Sequence, residues 1–482
     1  MQIIAGRDEA GPGRAERTPS VLWVLVGLSL SMLLSSLGTS IANVGLLTLA
    51  QAFNASFQDV QWIVLAYLLA ITTLIVSVGR LGDIIGRRRL LLAGIVLFTV
   101  ASLLCGIAPT LLLLIVARGL QGIGAAIMMA LTLAFVGETV REAQTGSAMG
   151  LLGTMSAIGT ALGPSLGGVL IAGLSWRAIF LINVPLGILT FVLAHRTLPV
   201  DRRALATDRA SFDMMGTLLL ALTLAAYALA MTMGRGNFGP LNMALLFAAV
   251  VGVGFFLRTE TRAASPLIRL AMFRDPVLSA SLAMSALVST VLMVTLVVGP
   301  FYLARALGLD AALVGLSLSV GPLVVALTGV PAGNIVDRLG AHRMTIAGLI
   351  GIAAGSIMLS LIPTTLGIPG YLAPIVVITV GYAMFQTANN TAVMTDVHAD
   401  QRGVISGLLN LSRNLGLITG ASAMGAVFAL ASATSDIETA HPEAVATGMR
   451  ITFAVAAIMI VVALVIAIGS RALTRRSRPG NV

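Results

Sequence analysis

Gly79-Arg80-Leu81-Gly82-Asp83-Ile84-Ile85-Gly86-Arg87-Arg88-Arg89 is a charged stretch set between two apolar runs, each long enough to cross a bilayer. It comes back once, as Gly333-Asn334-Ile335-Val336-Asp337-Arg338-Leu339-Gly340. The Gly-x-x-x-Asp-x-x-Gly skeleton recurs with each of its three fixed residues displaced by the same 254 positions. One stretch repeated at constant offset implies two related membrane-embedded halves. Glycines at these places let two helices turn back within a few residues, and the arginines hold the turn on the cytoplasmic side.

Composition agrees with a chain that lives in lipid. At 57% apolar and 10% charged, with a mean hydropathy of +1.00, the 482 residues exceed the roughly 45–50% apolar share of soluble domains. A net charge of +10 raises nucleic acid as a partner, but the basic residues lie in short segments between apolar runs and not on one continuous face, which excludes it. All 29 basic residues are arginine. With no lysine there is no Gly-x-x-x-x-Gly-Lys-[Ser/Thr] string, so ATP is not the direct drive. The single cysteine, Cys105, permits no intrachain disulfide. No nucleophile–base pair and no metal-ligand cluster stands out, so the expectation is a non-enzymatic protein without cofactor or metal; a monomer is expected.

Apolar runs long enough to span number fourteen: about 21–49, 60–80, 89–107, 110–134, 145–173, 176–194, 213–233, 241–257, 277–303, 312–332, 343–362, 371–393, 403–431 and 451–470. Alternate connections collect the arginines: Arg87, Arg88 and Arg89, then Arg141, Arg196 to Arg209, Arg258 to Arg274, Arg338 and Arg343, Arg402, and finally the C-terminal arginines from Arg471. By the positive-inside rule both ends then face the cytoplasm, which requires an even number of spans. The expected organisation is a cytoplasmic tail (1–20), a six-helix bundle (21–194), linkers with two additional helices (195–276), a second six-helix bundle (277–470) and a C-terminal tail (471–482). The 254-residue offset exceeds what two adjoining six-span halves need, and the two extra spans account for the excess.

The repeated stretch, placed between the second and third spans of each half, resembles the signature of the major facilitator superfamily. One position departs, Ile84, where a basic residue is usual. The resemblance implies a gating loop built from Gly79, Asp83, Gly86, Arg87 and Arg88, with Gly333, Asp337, Arg338 and Gly340 as its second copy, whose aspartates pair across the halves and latch one conformation. In the fifth span, Gly159-Thr160-Ala161-Leu162-Gly163-Pro164-Ser165-Leu166-Gly167-Gly168 matches the Gly-x-x-x-Gly-Pro-x-x-Gly-Gly pattern of the exporting branch. Its glycines permit close backbone approach in lipid and Pro164 removes a helix hydrogen bond. Trp62 with Tyr67, the run Trp176 to Pro185, Phe212-Asp213 with Gly216, and Ser406-Gly407-Leu408-Leu409-Asn410 with Arg413 and Gly416 look like the fourteen-helix drug:proton antiporters. What this resemblance implies is an all-α polytopic membrane protein of the major facilitator fold, with fourteen transmembrane helices as six, two and six. It would lie in the inner membrane and export small amphipathic molecules by alternating access in exchange for protons. An exporter of one endogenous metabolite would share every motif; a facilitator or uptake symporter fits the fifth span less well.

Candidate site residues follow from polarity inside the apolar runs. Arg118, in an Arg-x-x-Gln-Gly string with Gln121, lies eight residues past Thr110 and so about 12 Å into its helix. A charge there costs about 2.5–3.5 kcal/mol, so it either touches substrate and gates, or belongs to a structural pair. Asn43, Gln386, Asn389, Asn390 and Arg413 are further candidates, the amides serving either ligand or interhelical hydrogen bonds. The first span reads Leu37-Gly38-Thr39-Ser40-Ile41-Ala42-Asn43, without the carboxylate that many relatives carry. No Asp, Glu or His falls deep in a predicted span, so coupling is expected at helix-end acids such as Asp59 or Asp310. Arginines without an embedded acid repel a lipophilic dication, so the expected substrate is neutral, zwitterionic or anionic.

Overall fold

The computed structural model describes residues 21–55, 57–141, 144–199, 213–232, 239–263, 266–395, 397–398, 401–432 and 441–477. The expected N-terminal tail, most of the linker that carries Arg202, Arg203 and Arg209, and the last five residues lie outside this set. Among the described residues every regular element is helical. Thirteen helices are long and apolar enough to cross a membrane. A further helix of 29 residues without a charged side chain, Thr145–Gly173, lies fifth in order and completes the expected fourteen.

We number the long helices α1 (Val21–Val44), α2 (Phe57–Ile85), α3 (Arg87–Ile107), α4 (Leu111–Thr139), α5 (Thr145–Gly173), α6 (Asn183–Thr197), α7 (Met214–Thr232), α8 (Pro240–Glu260), α9 (Pro276–Phe301), α10 (Ala311–Leu339), α11 (Ala341–Leu361), α12 (Gly367–Thr395), α13 (Arg402–Thr419) and α14 (Pro442–Ser477). A short helix, Leu46–Ala52, follows α1 where the apolar run was expected to continue unbroken, and α13 carries on through a π-turn to Ala431. The last helix begins nine residues before its apolar run, because backbone hydrogen bonding continues through Glu443 and Arg450 beyond the apolar stretch.

The repeated stretch is not the glycine-rich turn that the sequence suggests. α2 runs helical through Asp83 to Ile85, α10 runs through Asp337 to Leu339, and one residue makes each reversal: Gly86 at φ 111° and Gly340 at φ 86°. Both values are costly for any side chain. The first glycine of each copy serves instead to let another helix approach.

The helices pack with near two-fold repetition. Within the first six, α1 lies on α5 and α2 and α3 on α4; within the last six, α9 lies on α13 and α11 and α10 on α12. Between these sets, α2 packs on α13 and α5 on α10. Small residues make these approaches possible in lipid, where packing and not water exclusion drives association. A Cβ on Gly79 would strike the carbonyl of Gly403; one on Gly333 would strike Gly146; one on Gly150 would strike Gly329. Inside each set the same device recurs, with Gly159 and Gly163 seating α1 at Ser36 and Ser40, and Gly416 and Gly420 seating α9 at Ser289 and Thr290. The two extra helices lie outside the α2–α13 junction. α7 touches both helices, and α8 packs on α7 and exposes most of its remaining surface.

Candidate functional site

Asp83 and Asp337 occupy matching places at the two junctions, on the arginine-rich side. Asp83 accepts the backbone N–H of Gly403 (3.2 Å) and of Val404 (3.3 Å), in the first turn of α13. Asp337 accepts the N–H of Gly146 (2.8 Å) and of Ser147 (2.9 Å), in the first turn of α5. Each carboxylate therefore satisfies orphan donors at a helix N-terminus belonging to the other half, where the helix dipole favours negative charge. The two sites differ in what completes them. Asp83 also holds Arg87, Nη2 at 2.8 Å, as a nearly buried ion pair. Asp337 has no arginine four residues on, where Ala341 stands, and instead takes the Ser147 hydroxyl (2.5 Å), which also lies 2.8 Å from Asn334 Oδ1. Arg88 reaches across to the carbonyl of His195 at 2.6 Å, and Arg338 is exposed. With Gly79 against Gly403 and Gly146 against Gly333, the protein is closed on this side.

Just above the closure, both halves line one small pocket. Met32 (α1), Leu133 (α4), Met149, Leu152 and Gly153 (α5) face Gln386 and Asn390 (α12) and Leu409, Asn410 and Arg413 (α13). At 1.5 Å per residue, Arg413 and Met32 each lie about 16 Å along their helices from the arginine-rich end, close to the midplane of a ~30 Å core. Three of the candidates thus come together: Gln386, Asn390 and Arg413. Arg413 makes no hydrogen bond or ion pair among the described residues, and no acid lines the pocket with it. Gln386 leaves its buried Oε1 unpartnered, with its Nε2 3.5 Å from Asn390 Oδ1. Asn410, outside the expected set of ligand residues, is buried in the pocket wall, its Nδ2 donating to Ser406 O at 3.0 Å. Asn389 turns the other way and donates to Ser281 O at 3.3 Å on α9.

Arg118 and Gln121 lie elsewhere. Arg118 is wholly buried inside the N-terminal set, its Nε donating to Ile63 O (3.0 Å) and Nη2 to Gly38 O (3.1 Å). Its Nη1 donates to Gln121 Oε1 at 2.5 Å, and Gln121 passes the chain on to Ser102 Oγ at 2.7 Å. The Tyr67 ring lies 4.1 Å beneath the guanidinium, within cation–π range. Carbonyl oxygens and π-electrons solvate this charge, and they bind α1, α2, α3 and α4 into one unit. The substrate-facing alternative for Arg118 is not the one this geometry adopts. Asp310 is the N-cap of α10, accepting the N–H of Leu313 at 2.8 Å, and Asp59 lies exposed at the opposite end of the molecule from the closure. Of the fifth-helix string, Gly167 is buried and Gly168 faces open space. The side chains of Asn43 and Pro164 lie outside the described residues.

A sequence profile of the Major Facilitator Superfamily matches residues 28–421. The chain belongs to that superfamily. It is a multi-pass membrane transporter similar to members that carry drugs: it is 32% identical over 424 residues to the Multidrug resistance protein Stp of Mycobacterium tuberculosis, covering 86% of this chain and 76% of that one. It is also 28% identical over 409 residues to the Riboflavin transporter RibZ of Clostridioides difficile, covering 84% and 88%. Among solved structures, the proton:xylose symporter XylE superposes with a TM-score of 0.65 at 17% identity, covering 92% of this chain and 94% of the other, which establishes the shared fold.

Proposed function

We propose that this superfamily member is a secondary exporter of small amphipathic molecules, that the present arrangement is its outward-facing state, and that protons moving inward drive it. Residues 21–194 and 277–470 act as the two rocking bundles, and 195–276 is an insert that flanks them. The observation that carries the substrate assignment is Arg413. It is an unpaired guanidinium in a pocket shared by both halves, among amides and methionines and without an acid. Such a lining favours an anionic, zwitterionic or neutral guest and repels a dication, because an unpaired charge gains from an opposite one and loses from a like one at short range. The similarity to Stp, a multidrug resistance protein, supports a broad substrate range. The similarity to RibZ, a riboflavin transporter, supports the second reading, transport of a single metabolite. The Gly-Pro string of α5 supports export over uptake by its resemblance to the antiporter branch.

The test is a panel of fluorescent or radiolabelled efflux substrates in proteoliposomes under an imposed pH gradient. Anionic and neutral amphiphiles are expected to be pumped and quaternary dications left behind. Arg413→Ala is expected to lower anion transport about tenfold or more, the loss of one charge-assisted hydrogen bond of roughly 1.5–3 kcal/mol. Preferential pumping of dications, or anion efflux unchanged in Arg413→Ala, refutes the assignment. Transport independent of the proton gradient refutes the coupling.

A further inference from the structure

Away from the pocket, the two extra helices bring a pair of acids together. Asp213 caps α7, its Oδ1 accepting the N–H of Gly216 at 2.7 Å. Glu260, the last residue of α8, is 96% buried, being 4% exposed, and its Oε2 accepts the N–H of Ile268 at 3.3 Å. The second oxygens of both, Asp213 Oδ2 and Glu260 Oε1, are buried without a hydrogen-bond partner. A Cβ built on Gly216 would collide with both, which places these two oxygens no more than about 5 Å apart in a cradle that only glycine leaves open. Two carboxylates this close, their facing oxygens both buried, cannot both ionise without a large Coulomb and desolvation cost; one proton held between them removes most of it.

The surroundings connect this pair to the closure. Among the described residues, the charges that bear on Glu260 are those of Asp213 and Arg80. Arg80 is the residue next to Gly79, whose backbone meets Gly403. Ile268, held by Glu260, sits with Leu267 in the apolar core that joins the N-terminal set to α12 and α13, on the segment that leads into α9. The pair therefore lies within the insert, bonds the lead-in to the second half, and feels the Arg80 charge of α2. These are elements whose relative positions must change if the arginine-rich side opens.

We propose that Asp213 and Glu260 form a proton-binding site of the transporter: one carboxylic acid and one carboxylate share a proton in the closed state. The proton leaves to the arginine-rich side when α2 moves and Arg80 comes to compensate a second negative charge. This deepens the exchange reading above and rests on it for its place in the cycle, but the shared proton is testable without transport. The site takes a proton and no larger ligand. It would supply, on the insert, the protonatable group that the first span lacks.

The experiment is an infrared difference titration of the full-length protein in lipid nanodiscs, reading the C=O stretch of a protonated carboxylic acid, on the unaltered protein and on Asp213→Asn and Glu260→Gln. Both amides keep the acceptor oxygens used by Gly216 and Ile268, so helical content and thermal unfolding should stay near the unaltered values. The expected result is an acid band that persists through neutral pH and is lost in each single variant. It should also disappear at neutral pH in Asp83→Asn, which opens the adjoining junction. A band unchanged in either single variant, or none in the unaltered protein, overturns the site whether or not efflux is proton-driven. A band that behaves as expected alongside efflux insensitive to pH gradients would leave the site standing and sink the exchange reading alone.

Discussion

The two junctions between the halves use one device and finish it differently. At α2–α13 and at α5–α10, an aspartate from the end of one helix caps the first turn of a helix in the other half, beside a glycine pair that brings the backbones into contact. The first junction adds the Arg87 ion pair and is covered by α7, whose Tyr227 hydroxyl meets that of Thr419 on α13. The second has a serine hydroxyl in place of the arginine, and its outer flank on α10 presents Leu316, Leu323 and Leu327 to lipid. What they share, aspartate on a helix N-terminus, is thus the latch; what they do not share sets how tightly each side is held.

The largest effect is expected from Asp83→Asn. It removes the cap's charge and also breaks the nearly buried Asp83–Arg87 ion pair, and breaking such a pair costs about 3–5 kcal/mol. Even about 3 kcal/mol moves the balance between closed and open states on the order of a hundredfold. Spin-label distances across the arginine-rich ends should lengthen and efflux should collapse. Adding Arg87→Leu should recover part of the loss, because both charges of the broken pair are then removed; no recovery would mean that the ion pair is not what separates the two junctions.

Next comes overpacking. Gly403→Ala places a methyl group against the Gly79 carbonyl, and Gly333→Ala places one against Gly146, each at about 1–3 kcal/mol. Equal losses of efflux in the two variants would sharpen the repeat; a silent variant at one junction would break it. Asp337→Asn follows, since it forfeits a charge–dipole interaction of up to ~2 kcal/mol without breaking an ion pair. Its phenotype should be milder than that of Asp83→Asn by about tenfold or more in transport rate. The smallest effect belongs to Tyr227→Phe, the loss of one hydrogen bond of about 0.5–1.5 kcal/mol. It should be read as a modest widening at α2–α13 with none at α5–α10.

Much of this was legible in the sequence, for reasons that can be stated. Span number follows from apolar runs because lipid forces each run to be a helix, and the pairing of Asp83 with Asp337 follows from a repeat at constant offset. The cluster at Gln386 and Asn390 and the arginine at 413 could be named as cavity candidates because polar groups in such helices seek each other or a ligand. Arg118 could not be resolved in the same way. Its partners are the carbonyls of Ile63 and Gly38 and the face of Tyr67, and backbone acceptors carry no residue signature. Glu260 carries no sequence signal for a related reason. It stands where an apolar run gives way to arginines, and only the fold of 266–268 back onto α8 buries it.

The most direct measurement is a double electron–electron resonance distance between spin labels at exposed Arg141 and Leu339, which flank the α5–α10 junction on the arginine-rich side, in nanodiscs with the single native cysteine, Cys105, left buried. The account predicts one short distance in the resting protein and a longer population that grows when Asp337→Asn is introduced. A distribution that Asp337→Asn leaves unchanged would contradict it.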